Sequence, residues 1–217
     1  MCDVNCILFG ARNLSDEEIR GRQILEVGSR DVNGSLRSFI ESRQPEKYIG
    51  VDIAEGPGVD VICEGEKLLD RFEEESFDIV ISTELLEHVR DWRIVISNIK
   101  RVCKAGGIIL ITTRSIGFPF HGYPHDYWRY EPKDMEEIFS DCEIQVLERD
   151  PSNGVLMKAS KPLNFEEKEL PDYELYSVLA NSRVKQIADK DLKNWHTIKL
   201  LVKGIAKNAL LKVAGRL

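Results

Sequence analysis

The 217-residue sequence contains no C-x-x-C pair, and its five cysteines, Cys2, Cys6, Cys63, Cys103 and Cys142, are odd in number. A structural zinc site and a disulfide framework are both disfavoured, and reduced thiols inside the cell are expected. No apolar run reaches the roughly 18 residues that suggest a membrane-spanning helix. The N-terminus, interrupted by Asp3 and Asn5, lacks the basic start and long apolar stretch of a signal peptide. These absences point to a cytoplasmic protein. The dinucleotide fingerprint G-x-G-x-x-G is missing as well. Basic charge is in short supply: 30 Lys and Arg against 37 Asp and Glu leave −7, which argues against general nucleic-acid binding.

That charge is unevenly spread. From Arg183 to Leu217 nine basic residues face two acids, Asp189 and Asp191, so this tail carries +7 and the first 182 residues carry −14. Within it Lys199, Lys203 and Lys207 recur every four residues, while Trp195, Ile198, Leu201, Val202, Ile205, Ala209 and Val213 supply an apolar face. The pattern predicts an amphipathic basic helix. Such a helix suits packing on the acidic domain or in a homodimer. It also suits peripheral contact with an anionic membrane, at the inner membrane surface, although packing is the favoured reading.

Apolar content of 42% supports one substantial core. QILEVG at Gln23 to Gly28 reads as a buried strand, followed by a turn at Asn33-Gly34-Ser35 and a helical pattern through Leu36, Phe39 and Ile40. Strands are expected at Tyr48 to Asp52, near Val59 to Cys63 and at Ser76 to Thr83, with a helix over Lys67 to Glu74. A helix from about Asp91 to Cys103 stops at Ala105-Gly106-Gly107, and the β-branched run Ile108 to Thr113 is a strand covered on both faces. A helix over Pro132 to Phe139 precedes strands at Glu143 to Glu148 and Val155 to Ala159, joined through a turn-rich linker. After about Lys161 strand signals cease, leaving an acidic connector and a helical C-terminal segment. The alternation predicts an α/β fold: a doubly wound, mostly parallel, seven-stranded Rossmann-like sheet with an antiparallel edge pair, plus a helical C-terminal appendage. The expected division is a domain over 1–162 and an appendage over 163–217.

Ligands of such folds bind beyond the C-terminal ends of the strands. Gly28 ends the first strand, where the lack of a side chain lets backbone approach a ligand, and Asp52 closes the second, placed to accept hydrogen bonds from vicinal ribose hydroxyls. Glu26 inside an apolar strand reads as a ligand-facing carboxylate, the alternative being an ion-paired core group, and for Asp52 the alternative is a helix cap or turn residue.

The set ILEVGSRDVNG (24–34), YIGVDI (48–53), SFDIVISTELLEHV (76–89) and KAGGIILITT (104–113) resembles the small class I S-adenosylmethionine-dependent methyltransferases in order and spacing, over about residues 20 to 160. The resemblance implies S-adenosyl-L-methionine as cofactor. It places Glu26, Gly28, Ser29 and Arg30 around the methionyl part, Asp52 and Ile53 at ribose and adenine, Glu64 and Gly65 at the adenine edge, and Thr83 and Glu84 on the floor. One departure stands out: the first loop, GSRDVNG, is longer than G-x-G-x-G and carries Arg30 and Asp31 in place of small residues. Glu84, Glu87 and His88 have ligand-like E-x-x-E-H spacing, but without a clear further ligand they read as pocket-shaping groups, and no metal is expected.

The stretch Ser115 to Pro132, SIGFPFHGYPHDYWRYEP, holds six of the seventeen aromatics and two of the four histidines. Leaving a strand's C-terminal end, it reads as an acceptor-binding lid. Tyr123, Tyr127, Trp128 and Arg129, with His88, are candidate acceptor contacts, and His125, His121 and Asp126 are candidates for taking a proton. The expected function is methyl transfer to oxygen or nitrogen of a small molecule or glycan. The rival readings are a nicotinamide-dependent oxidoreductase and a binding module that recruits partners through its tail.

Overall fold

Residues 24–27, ILEV, are all buried, as a strand covered on both faces must be. They form the centre of β1 (Gln23–Val27), which follows α1 (Val4–Asn13) and α2 (Asp16–Ile19). The computed structural model describes residues 3–121 and 125–202. The chain continues through α3 (Arg37–Glu41), β2 (Lys47–Asp52), β3 (Val61–Ile62), β4 (Phe77–Thr83), α4 (Trp92–Val102) and β5 (Cys103–Arg114). Then come β6 (Trp128–Arg129), α5 (Pro132–Ile138), β7 (Glu143–Asp150), β8 (Gly154–Ser160), β9 (Leu175–Ser177) and β10 (Ser182–Val184).

Seven strands form one sheet in the order β3-β2-β1-β4-β5-β8-β7. The first five run parallel, and β8 lies antiparallel to both β5 and β7. This is the doubly wound sheet with an antiparallel edge that the alternation of apolar runs predicts. Each face carries its own core. On one, α4 buries Trp92, Val95, Ile96, Ile99 and Val102 at helical spacing against Leu25, Val27 and Val80. Each such side chain contributes about 1.5–3 kcal/mol of transfer free energy. On the other face, Cys6 and Phe9 of α1 and Ile40 of α3 cover Ile24, Ile79 and Ile81.

Three local expectations change. The helix ahead of Ala105-Gly106-Gly107 ends at Val102, and those residues lie within β5. The β4–β5 register slips between Phe77 and Ile79, and Gly106 takes φ 76°, so the glycines accommodate a bulge rather than a helix terminus. The helix expected over 67–74 is a six-residue 3-10 turn at Gly65–Asp70. The connector contains a hairpin, β9 with β10, and β9 pairs with β6 in a second, three-stranded sheet. The backbone ladder explains this: Arg129 pairs with Tyr176 and Val178 N donates to the Tyr127 carbonyl at 2.9 Å, so the connector fixes the exit of the long loop.

The C-terminal helical segment starts at 195 and is described to 202; the remainder of the basic amphipathic pattern lies outside the described residues. Trp195 is 71% exposed, with Lys199 Nζ 5.7 Å from its ring centroid. Among the described residues no helix is long and apolar enough to cross a membrane.

Candidate active site

The C-terminal ends of β1, β2 and β4 open into a cleft of roughly 500 Å³, within the range of small-molecule sites. Gly28 lies on its wall at φ 81°, a conformation that costs an L-residue strain, and a Cβ there would meet Leu85 Cβ at 3.0 Å. The loop after it is held by Val51, whose carbonyl accepts from both Gly28 N at 2.9 Å and Ser29 N at 3.0 Å. Asp52 follows directly. Its Oδ2 accepts from Arg30 N at 3.3 Å and its Oδ1 from Ala54 N at 3.1 Å, so the half-buried carboxylate is oriented into the cleft mouth by two backbone amides.

The cleft brings together Gly28, Arg30, Asp52, Ile53, Glu64, Gly65 and Glu84 of the expected cofactor set, and His88, His125 and Tyr127 of the acceptor set. Glu26, Ser29 and Thr83 are buried but are not part of the lining. Glu26 accepts from the Tyr48 hydroxyl at 2.5 Å, and burial pushes its carboxyl up to about 7 against that hydrogen bond. Trp128 is buried, with Nε1 donating to the Val89 carbonyl at 3.0 Å, and Arg129 is buried beneath the loop. Tyr123 lies outside the described residues. Sequence reasoning did not single out Leu85, Cys63, Glu66 or Arg90, which also form the wall. The local signal for Leu85 is its place after Glu84, a non-glycine residue at φ 54°, a strained conformation of the kind that gathers at functional sites.

A polar cluster begins at the lining and runs behind it. His125 Nδ1 is 2.9 Å from the Tyr127 phenol oxygen. Asp126 is fully buried and takes Arg129 Nη1 at 2.6 Å and Nη2 at 2.9 Å, while its Oδ2 lies 3.1 Å from His121 Nδ1. Burial opposes a charge on His121, but Asp126 and Glu87 outweigh it and raise the imidazole to about 9. Burial lowers His88. For the buried carboxylates, burial and the neighbouring Glu87 charge raise Glu84, to about 10, whereas His121 and His88 hold Glu87 below its ordinary value against burial.

A carboxylate at the end of β2, a glycine at the end of β1 and an open volume between them fit an adenosyl ligand: ribose hydroxyls against Asp52, and backbone amides around the rest. Comparison with known proteins agrees. Residues 25–111 match the family model described as "Methyltransferase domain". Two curated relatives are ubiquinone biosynthesis O-methyltransferases. That of Idiomarina loihiensis is 27% identical over 123 residues, 51% of this chain and 49% of that protein. That of Hahella chejuensis is 32% identical over 106 residues, 43% of each. The chain thus spans half or less of the curated relatives it matches. Among solved structures, the Burkholderia thailandensis 1,6-didemethyltoxoflavin-N1-methyltransferase with bound S-adenosylhomocysteine superposes with a TM-score of 0.60 at 15% identity, covering 72% of this chain and 78% of that one. Residues 25–111 are thus similar to a methyltransferase domain, and the chain folds into the same Rossmann-like sheet as the solved methyltransferase.

Proposed function

We propose that the protein transfers a methyl group from S-adenosylmethionine to a hydroxyl of a small molecule. The observation that carries this reading is a single cleft with Asp52 and Gly28 at one side and His125 and Tyr127 at the other. When bound, the cofactor supplies a methyl group on a sulfonium, which leaves as a neutral thioether. Gly28, the amides of the following loop and Asp52 would hold it, with Ile53 and Gly65 against the adenine. Glu64 keeps an exposed carboxylate at that edge, paired with Lys67 at 3.0 Å.

On the acceptor side, His125 is the group placed to take the hydroxyl proton. In the tautomer whose Nδ1–H donates to the Tyr127 oxygen, Nε2 keeps a lone pair for the acceptor. His121 and Asp126 stand behind it and fix the loop. Methyl transfer needs alignment above all, so the wall of Leu85, His88 and Tyr127 supports catalysis by position. A glycan acceptor is a finer version of the same reading, supported by the aromatic content of the loop. The similarity to O-methyltransferases of ubiquinone biosynthesis favours a small hydroxylated molecule.

Titration calorimetry with S-adenosylmethionine and S-adenosylhomocysteine tests the cofactor half. Asp52→Ala removes the acceptor of two ribose hydrogen bonds, each to a charged group worth about 1.5–3 kcal/mol, and should weaken both ligands at least about 100-fold. Equal affinity in wild type and variant would overturn the assignment. With any acceptor that a screen of phenols, catechols and sugars yields, His125→Ala should lower kcat at least about 100-fold at unchanged cofactor affinity. Full turnover would remove His125 from the mechanism.

A further inference from the structure

Trp195, Ile198 and Val202 recur at intervals of three and four residues along the helix that starts at 195, so they form one ridge. The ridge is bare: Trp195 is 71% exposed, Ile198 40% and Val202 60%. Packing on the acidic domain, the reading the sequence favours, leaves these three side chains uncovered. Lys199, exposed and four residues after Trp195, stands beside the ridge with its ammonium near the indole ring. The sequence repeats a lysine at Lys203 and Lys207, and the tail from Arg183 carries +7 while the rest of the chain carries −14.

The helix is fixed at its start. Asn194 Oδ1 accepts from Thr197 N at 2.7 Å, as an N-cap does, and its Nδ2 donates to the Leu179 carbonyl at 3.0 Å. Thr197, itself buried, donates from Oγ1 to the Asp191 carbonyl at 2.6 Å, and His196 Nε2 lies 3.2 Å from the Val178 carbonyl. Val178 N in turn donates to the Tyr127 carbonyl, and Tyr127 lines the cleft. The ridge is thus presented by a helix anchored a short chain of hydrogen bonds away from the acceptor side.

We infer that this helix docks the protein on an anionic lipid surface. An exposed ridge of one indole and two β-branched side chains, edged by lysine, is what an interfacial helix presents: apolar groups enter the headgroup boundary, the indole sits at the interface and ammonium groups meet lipid phosphates. Charge complementarity selects the occupant. A second copy meeting this face about a two-fold axis would set +7 against +7. The acidic remainder, at −14, is repelled by an anionic surface, so contact is confined to the basic end. No helix among the described residues is long and apolar enough to cross a membrane, and docking of this kind is peripheral. Through Val178 the docked helix is tied to Tyr127, which would hold the cleft near the surface for an acceptor carried in lipid. That consequence rests on the methyl-transfer reading, whereas docking itself does not.

The experiment uses the full chain and flotation with vesicles of phosphatidylcholine alone or mixed with an equal part of phosphatidylglycerol. The protein should float with the mixed vesicles, stay behind with the neutral ones, and be released as salt screens the charge. Lys199→Glu should weaken binding at least about 5-fold, and Ile198→Asp combined with Val202→Asp at least about 10-fold. These side chains are exposed, so the far-ultraviolet circular dichroism should stay unchanged. Trp92 and Trp128 are buried, so a blue shift of tryptophan emission on the mixed vesicles reports Trp195, and Trp195→Phe should abolish the shift while retaining flotation. Absence of flotation with the mixed vesicles, or wild-type flotation of the combined Ile198→Asp, Val202→Asp variant, would overturn the proposal. So would a dimer in sedimentation that the same two substitutions dissociate, without lipid binding, since the face would then belong to a second copy. Asp52→Ala should float as wild type does, so failure of docking and failure of the cofactor reading are distinguishable.

Discussion

Replacing Arg114 with methionine should destabilise the protein by about 3–5 kcal/mol, among the largest effects of any single substitution here. Arg114 ends β5 and is 4% exposed. Its guanidinium reaches three acidic side chains: Glu84, Asp150 Oδ2 at 3.2 Å and Asp3 Oδ2 at 3.0 Å. It also lies 4.1 Å above the Phe118 ring. Methionine fills much of the volume but leaves Asp150, itself buried, facing a vacated cation, and an uncompensated buried charge costs more than the pair contributes. Lysine keeps the charge but not the fork that serves several partners at once, so Arg114→Lys should recover only part of the loss. Urea unfolding at neutral pH measures this, and Arg114→Met combined with Asp150→Asn should be more stable than Arg114→Met alone. A single variant within 1 kcal/mol of wild type, on the order of an ordinary surface change, would show that the charge network does not hold the fold.

The same network shows which parts of the site could be read from the chain alone. Gly28 and Asp52 were legible because each ends a strand that announces itself by an apolar run, and strand ends of a doubly wound sheet carry the ligand wherever the loops go. Arg114 carried no such signal: its three partners are the N-cap of α1, the residue after β4 and a residue of β7, and only the folded sheet brings them together. The approach of His121 to Glu87 was hidden for the same reason, since the two residues lie far apart in the chain and only the folded loop brings them together. The β9–β10 hairpin was missed on different grounds. Strands of three residues, LYS and SRV, are too short to show period-two alternation, and β9 gains half its pairing from β6. At Ala105-Gly106-Gly107 the difficulty was degeneracy, because glycine serves a helix terminus and a β-bulge equally well until the neighbouring strand is in place.

Glu26 provides the second large effect, as a dependence of stability on pH. Its carboxyl titrates near 4.5 in ordinary surroundings and is raised to about 7 in the fold, chiefly because burial disfavours the charged form, with the Tyr48 hydrogen bond and Arg37 acting the other way. The protonated acid is therefore the form the folded state prefers. Below about pH 4.5 it is protonated in both states and its contribution is complete. As pH rises from there through about 7, the unfolded chain releases the proton first, and the fold loses about 3 kcal/mol relative to its acid limit. Glu26→Gln keeps the shape and an oxygen for the Tyr48 hydroxyl but cannot ionise. The variant and wild type should be similarly stable at pH 4.5, and the variant should be more stable by about 3 kcal/mol at pH 8, a difference that cancels the other titrating groups. If wild type instead gains on the variant as pH rises, Glu26 is ionised within the fold, and its carboxylate must be held by a cation, with Arg37 the nearest candidate. That outcome would also change the view of the cleft, because an anionic group directly behind Gly28 would favour the ammonium end of the cofactor, whereas a neutral acid would leave that task to the loop carbonyls.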